Sequence, residues 1–243
     1  MIYMDILKNI KHKVARVEQD PVIEFIAKEE YIDAVPAPEP ASKHIPQWYQ
    51  DLDKYYTEDN QTTNERPGIQ MQTVKGCMPF LEALTFGWIL PNMAEIHTKD
   101  VDQRAEIDTN WDYEYVLPHP EIQLEGYDLD DHETIIKFQT PWYIKAPKNT
   151  RMLITDPFNR KRTFLQAFSG VRHVDRFLYN IFVLARYDIS PNHDRIIPDG
   201  YPLAQMIFFN NNGVINNATV RAMTPEEIID SKRTKNRMST HES

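Results

Sequence analysis

Between residues 94 and 222 the chain is cut into short apolar or alternating runs, at 94–97, 105–107, 111–116, 134–138, 142–146, 152–155, 163–168, 179–187, 203–209 and 218–222. Turn-forming residues separate them. Runs of this length suit half-buried strands, and they are not interleaved with the roughly 10–15-residue helical spacers that a parallel α/β sheet requires. The expected fold is therefore mainly β (α+β), a β-barrel or β-sandwich, with helices at the N- and C-terminal ends. A hydrophobic fraction of 41% over 243 residues is enough to build a core for one large domain.

Three regions follow. Residues 1–20 read as an N-terminal helix, with Ile6, Ile10, Val14 and Val17 at three- and four-residue steps before Pro21 ends it. Residues 21–222 read as the β-rich globular domain, opening with a strand at 22–27. The alternating prolines of 35–40 exclude a helix or a central strand, so this stretch is expected to be an extended arm. Ser42 is expected to cap a short helix carrying Ile45, Trp48, Tyr49 and Leu52. Residues 57–68 are polar and turn-prone, a loop. Pro79 and Gly87 suit the two ends of a helix, after which residues 88–91 leave as a strand. Asn210, Asn211, Asn212 and Gly213 form a hairpin signal. Residues 223–243 read as a C-terminal helix and basic tail: Thr224, Pro225 and Glu227 form a capping box, and Lys232, Arg233, Lys235 and Arg237 are expected to be solvated.

Net charge is −9, which argues against broad nucleic-acid binding through phosphates. The charge is uneven. Residues 95–133 hold thirteen carboxylates against Lys99 and Arg104, whereas 145–176 hold eight cations against Asp156 and Asp175. Such blocks read either as complementary surfaces or as two solvated faces. The single cysteine, Cys77, cannot form an internal disulfide and sits among apolar neighbours; it is expected to be a buried small hydrophobe in a reducing compartment. With no apolar run of membrane length and no signal-peptide core near the N-terminus, the expected location is the cytoplasm.

Motifs for familiar chemistry are missing. No Gly-x-Ser-x-Gly elbow, dinucleotide fingerprint or phosphate-binding P-loop occurs, and the acidic run around Asp128 and Asp130 lacks the glycine and glutamate of a calcium loop. The histidines lack helical zinc spacing, so no metal and no cofactor is expected.

The stretch 141–209 carries what signal there is. With 35–46 and 73–91 it resembles an uncharacterised family of bacteriophage and bacterial proteins. It is also similar to the barrel of the trimeric dUTPase and dCTP deaminase superfamily: Gly170 and Val171 match the start of that family's hairpin, and Gly200, Ala204 and Gln205 match its Gly-x-x-x-Ala-Gln strand. That resemblance implies a dUTPase-like barrel with Arg160 on phosphate, Asp175 or His173 in acid–base work, and Gln205 as site support. Asp156, Arg176 and Trp142 complete the ligand-binding candidates. His173 stands where the family's water-activating aspartate would fall, so pyrophosphatase chemistry is not implied. An architectural reading competes with it: Asp156 and Asn159 organise a turn, Asp175 and Arg176 pair, and Gln205 satisfies buried backbone.

Two functions are therefore expected in competition. One is a phage-type, non-catalytic structural or assembly protein whose partners are its own copies or virion proteins. The other is a nucleotide- or small-ligand-binding protein or hydrolase.

Overall fold

The computed structural model describes residues 22–55, 72–101, 104–110, 114–127, 129–130, 132–161, 164–188 and 195–239. The helix expected over 1–20 and the loop expected over 57–68 lie outside these. In chain order, β1 (Val22–Ala27) is followed by α1 (Glu29–Ile32), β2 (Glu39–Pro40), α2 (Gln47–Asp51), α3 (Met78–Thr85), β3 (Trp88–Pro91), β4 (Ile96–Val101), β5 (Arg104–Thr109) and β6 (Val116–Pro118). Then come β7 (Glu133–Lys145), β8 (Arg151–Thr155), β9 (Leu165–Ala167), β10 (Gly170–His173), β11 (Tyr179–Asp188), β12 (Arg195–Ile197), β13 (Pro202–Asn210), β14 (Gly213–Ile215), β15 (Asn217–Ala222) and α4 (Pro225–Ser239).

The strands form two large sheets and a small one. The first runs β15-β1-β7-β11-β9 with β6 beside β7, the second β10-β8-β13-β3-β2 with β14 beside β13, and the third β12-β4-β5. β1 and β15 pair in parallel; the other ladders are antiparallel. Neither large sheet closes on itself. The fold is thus β-rich α+β, with open sheets rather than a closed barrel.

The two large sheets share one core. Along β11, Tyr179, Ile181, Val183, Ala185 and Tyr187 are buried in strict alternation, as expected for a strand with one inward face. Phe25 of the first sheet meets Trp88 and Phe208 of the second edge-on, at centroid separations of 6.1 and 5.8 Å, and Trp88 and Phe208 meet at 5.5 Å. Such edge-to-face contacts add about 0.5–1.5 kcal/mol each beyond the area they bury. Ile96 and Ile197 of the third sheet join the same core.

β13 departs from alternation: Leu203 to Phe208 are all buried. Its inner face lies in the core, and the outer face meets the end of α3, where Gln205 Nε2 donates to the carbonyls of Ala83 (3.0 Å) and Phe86 (2.5 Å). At the neighbouring Gly87 (φ 74°) a Cβ would lie 2.2 Å from the Met206 carbonyl oxygen, so the crossing from α3 into β3 needs glycine twice over.

Several expectations need correction. Runs 134–138 and 142–146 are one strand, β7, with Pro141 inside it. The proline arm does not reach away: Val35 is buried, the Pro36 carbonyl accepts the Trp142 indole N–H at 3.0 Å, and Glu39 and Pro40 pair with β3. Cys77 is exposed, because it precedes α3 at the surface. Ser42 lies inside a 3-10 turn, Ala41–His44, and α2 begins after Pro46. The basic residues expected as a tail continue α4 to Ser239. Among the described residues no helix is long and apolar enough to cross a membrane.

Candidate functional site

Strand register divides the candidate residues between two ends of the sandwich. β8 pairs with β10 so that His173 faces Arg151 and Gly170 faces Ile154. Asp175, just past β10, therefore lies by the start of β8, while Asp156 lies just past its end. At about 3.3 Å per residue, one five-residue strand separates them. His173 and Asp175 cannot share a reaction centre with Asp156 and Arg160.

At the first end Asp175 is architectural. Its Oδ2 accepts the Asn149 N–H at 2.7 Å, fixing a turn in which Asn149 holds φ at 64°. Its Oδ1 lies 3.8 Å from His173 Nδ1. Arg176 is exposed on the following loop. Arg172 lies over the Phe182 ring at 4.3 Å and over the Tyr179 ring at 5.4 Å, a cation held by π faces. Burial pushes the Tyr179 phenol up to about 12, with Arg172 opposing.

At the other end a cleft with a volume of about 50 Å³ opens between the sheets. Asp156, Arg160 and Lys161 reach it from the turn after β8, Gln166 from β9, Arg186 from β11, and Tyr201 from the turn before β13. Asp156 Oδ1 accepts the Ala167 N–H at 2.9 Å, which ties the turn to β9. Burial pushes this carboxyl above its ordinary range, against the lowering effects of the Ala167 N–H and Arg160. Arg160 donates through Nη2 to the His44 carbonyl; burial pulls its guanidinium down, with Tyr201 and Asp156 opposing. Arg186 is aimed by Gln166, whose Oε1 accepts Nη2 at 2.7 Å, and by Glu133 at 3.2 Å from Nε.

Gln205 and Trp142 serve the scaffold beside this cleft. Gln205 is 1% exposed and its Oε1 accepts the Phe158 N–H at 3.0 Å, so it clamps the Pro157–Phe158 turn to α3. Trp142 is 1% exposed and its indole N–H is spent on Pro36. Neither presents a face to a ligand.

Sequence reasoning missed Lys161, Arg186, Tyr201 and Asn92. Asn92 is fully buried. Its backbone N–H donates to the Tyr201 carbonyl at 2.6 Å, its own carbonyl accepts the Gly200 N–H at 2.8 Å, and its amide donates to the carbonyls of Ala94 (2.6 Å) and Pro198 (2.8 Å). Oδ1 accepts the Tyr115 hydroxyl at 2.7 Å. The only prior signal was the Pro198-Asp199-Gly200 turn; Pro198, Gly200 and Tyr201 lie more than a hundred residues from Asn92 in sequence. Among the described residues no group of three or more His, Cys, Asp or Glu could hold a metal ion. Comparison with protein-family models, curated proteins and solved structures finds no match.

Proposed function

We propose that this chain is a non-catalytic structural or assembly protein of the phage type, working through contacts between its own copies, acidic end to basic end. The observation that carries the reading is the segregation of charge along the sandwich. Exposed Lys148, Arg151 and Arg176 crowd the end where β7 turns into β8. Exposed Glu95 and Asp108 lie on the third sheet or just before it. They sit at the opposite end, where β12 and β4 meet Tyr187, the end that also holds the cleft. A contact between unlike ends is heterologous, so it propagates into rings or filaments instead of stopping at a pair. Opposite potentials steer such encounters and penalise like ends.

The fate of the candidate acid–base groups supports the same reading. Asp175 holds a turn, Asp156 holds β9, and Gln205 holds α3. The phage attribution rests on the sequence resemblance; the nucleotide- or small-ligand-binding alternative draws its support from the cleft alone.

Sedimentation velocity in low salt and at ~1 M salt, where the Debye length falls to about 3 Å, tests the proposal. Self-association in low salt that weakens at high salt is expected. Charge reversal at Lys148 and Arg151 should abolish it, and reversal at Glu95 and Asp108 in the same chain should restore it. A monomer at every concentration and salt would overturn the reading.

A further inference from the structure

The cleft holds more cations than it has carboxylates to answer them. Arg160, Lys161 and Arg186 line it, while Asp156 lines it and Glu133 flanks Arg186. Glu133 answers Arg186, at 3.2 Å from Nε and 3.5 Å from Nη1. That leaves Arg160 and Lys161 against Asp156, one of whose oxygens accepts from the Ala167 backbone. One of the five N–H groups of Arg160 is spent on the His44 carbonyl. That bond, with Gln166 on Arg186, fixes two guanidinium planes on opposite walls. An arginine keeps its proton in a protein, so half-burying Arg160, a cost that the nearby Asp156 offsets only in part, leaves a solvation penalty that an incoming anion relieves.

The volume sets the size of that anion. On a scale where one water occupies about 10–15 Å³, a cleft of about 50 Å³ holds a few waters. That is the space of one compact oxyanion. A base and sugar would have to lie outside it.

We infer that the cleft between the turn after β8 and the start of β13 binds one tetrahedral oxyanion, phosphate or sulfate, held by the Arg160 fork and by the N–H groups of Arg186 that Glu133 and Gln166 leave free, with Lys161 at the rim. Guanidinium forks match the oxygen edges of such anions, and the exposed Lys161 contributes a point charge at the mouth. The phosphate could come free from solution or as the terminal group of a nucleoside monophosphate. This inference does not depend on the assembly proposal.

Isothermal titration of the full chain with sodium phosphate, against sodium chloride of equal ionic strength and in salt high enough to keep the protein monomeric, reads the binding directly. Saturable binding of one phosphate per chain is expected. Lys161→Gln should weaken it about threefold and Arg160→Lys about tenfold, because the lysine keeps the charge and loses the fork. Arg160 also holds His44, so Arg160→Lys counts where the variant folds; Lys161→Gln, on an exposed side chain, decides the question where it does not. AMP binding at least as tightly as phosphate identifies a nucleotide terminus as the source, and weaker AMP binding identifies the free oxyanion. No saturable heat beyond the chloride control, or phosphate binding that is indifferent to Lys161→Gln and to Arg160→Lys, would overturn the inference.

Discussion

The Thr140 hydroxyl donates to the carbonyl of Ile181 at 2.9 Å. It does so where the ladder between the two longest strands loses register. Gln139 faces Phe182 and Tyr143 faces Asn180, so three residues of β7 stand opposite one residue of β11. Pro141, which has no N–H to give, falls in this gap. Side chains take over the missing ladder bonds. Asn180 Nδ2 donates to the carbonyls of Thr140 (2.9 Å) and Trp142 (3.3 Å), and the Trp142 N–H reaches the Thr140 hydroxyl at 3.3 Å.

Thr140→Val should therefore destabilise the protein by about 1–3 kcal/mol, the cost of leaving a buried carbonyl unsatisfied. Valine matches threonine in shape, and Thr140 is 1% exposed, so packing changes little. Urea denaturation measures the loss. A variant as stable as the parent would mean that the irregularity holds without its side chains.

This irregularity also marks the limit of what the sequence could reveal. Strands β1 and β3, the capping box of α4 and the hairpin before β14 were legible because each signal is local. Thr224 and Glu227 exchange the expected bonds at 2.9 and 3.3 Å, and Gly213 takes φ 131° in the turn. Pro141 reads locally as a strand break, and only a partner strand forty residues away can absorb it. The same holds at the cleft. Asp156 and Arg160 belong to one turn and could be paired by eye, but Arg186 and Tyr201 arrive on other strands, and nothing near them in sequence announces it. Asp175 and His173 looked like neighbours of that turn because the hairpin is short in sequence; antiparallel pairing carries them to the far end of β8.

Acid should weaken the attachment of α4. Arg221 meets Glu227 at 2.8 Å and Glu24 at 2.6 Å, and Lys145 reaches Glu227 at 3.0 Å. The Arg221 guanidinium, chiefly, holds the Glu227 carboxyl well below its ordinary value of 4.5, helped by the Thr224 N–H and Lys145 and opposed by burial. A carboxyl whose folded value is depressed stabilises the fold above its unfolded value and loses that contribution as pH falls toward the folded one. Stability should thus decline below about pH 4.5, and Glu227→Gln should flatten that decline while lowering stability at neutral pH. Thermal melts across the acid range check both. An unchanged slope in the variant would place the acid sensitivity elsewhere.

Asp156 should behave in the opposite sense. Burial raises its folded value above the ordinary 3.8, so the folded state binds the proton more tightly than the unfolded state. Its contribution to stability then falls as pH rises from about 3.8 through the folded value. Asp156→Asn keeps an oxygen for the Ala167 N–H and removes the buried charge. The variant should be as stable as the parent or more stable at neutral pH, with the difference vanishing in acid, measured by chemical denaturation at several pH values. Loss of stability at neutral pH would show that the charge itself holds the turn, through Arg160.

Asn92 should be the most costly polar residue to replace near the cleft. Its amide and Oδ1 bring together β3, the end of β12, the Pro198 turn and Tyr115. Burial pushes the Tyr115 phenol far up, so its proton stays to be donated. Asn92→Leu would strand the buried Tyr115 hydroxyl and the buried Ala94 carbonyl, at about 1–3 kcal/mol for each group that finds no new partner. A loss of at least about 2 kcal/mol is expected. The backbone N–H of residue 92 donates to the Tyr201 carbonyl at 2.6 Å and its carbonyl accepts the Gly200 N–H; leucine keeps both groups but loses the side-chain bonds that hold them in place, so the wall of the cleft should loosen. Amide hydrogen exchange should speed up at Gly200 and at residue 92, whose N–H groups close this junction, ahead of the Phe25, Trp88 and Phe208 core. Uniform acceleration across both sheets would instead make Asn92 a support of the whole sandwich rather than of its cleft end.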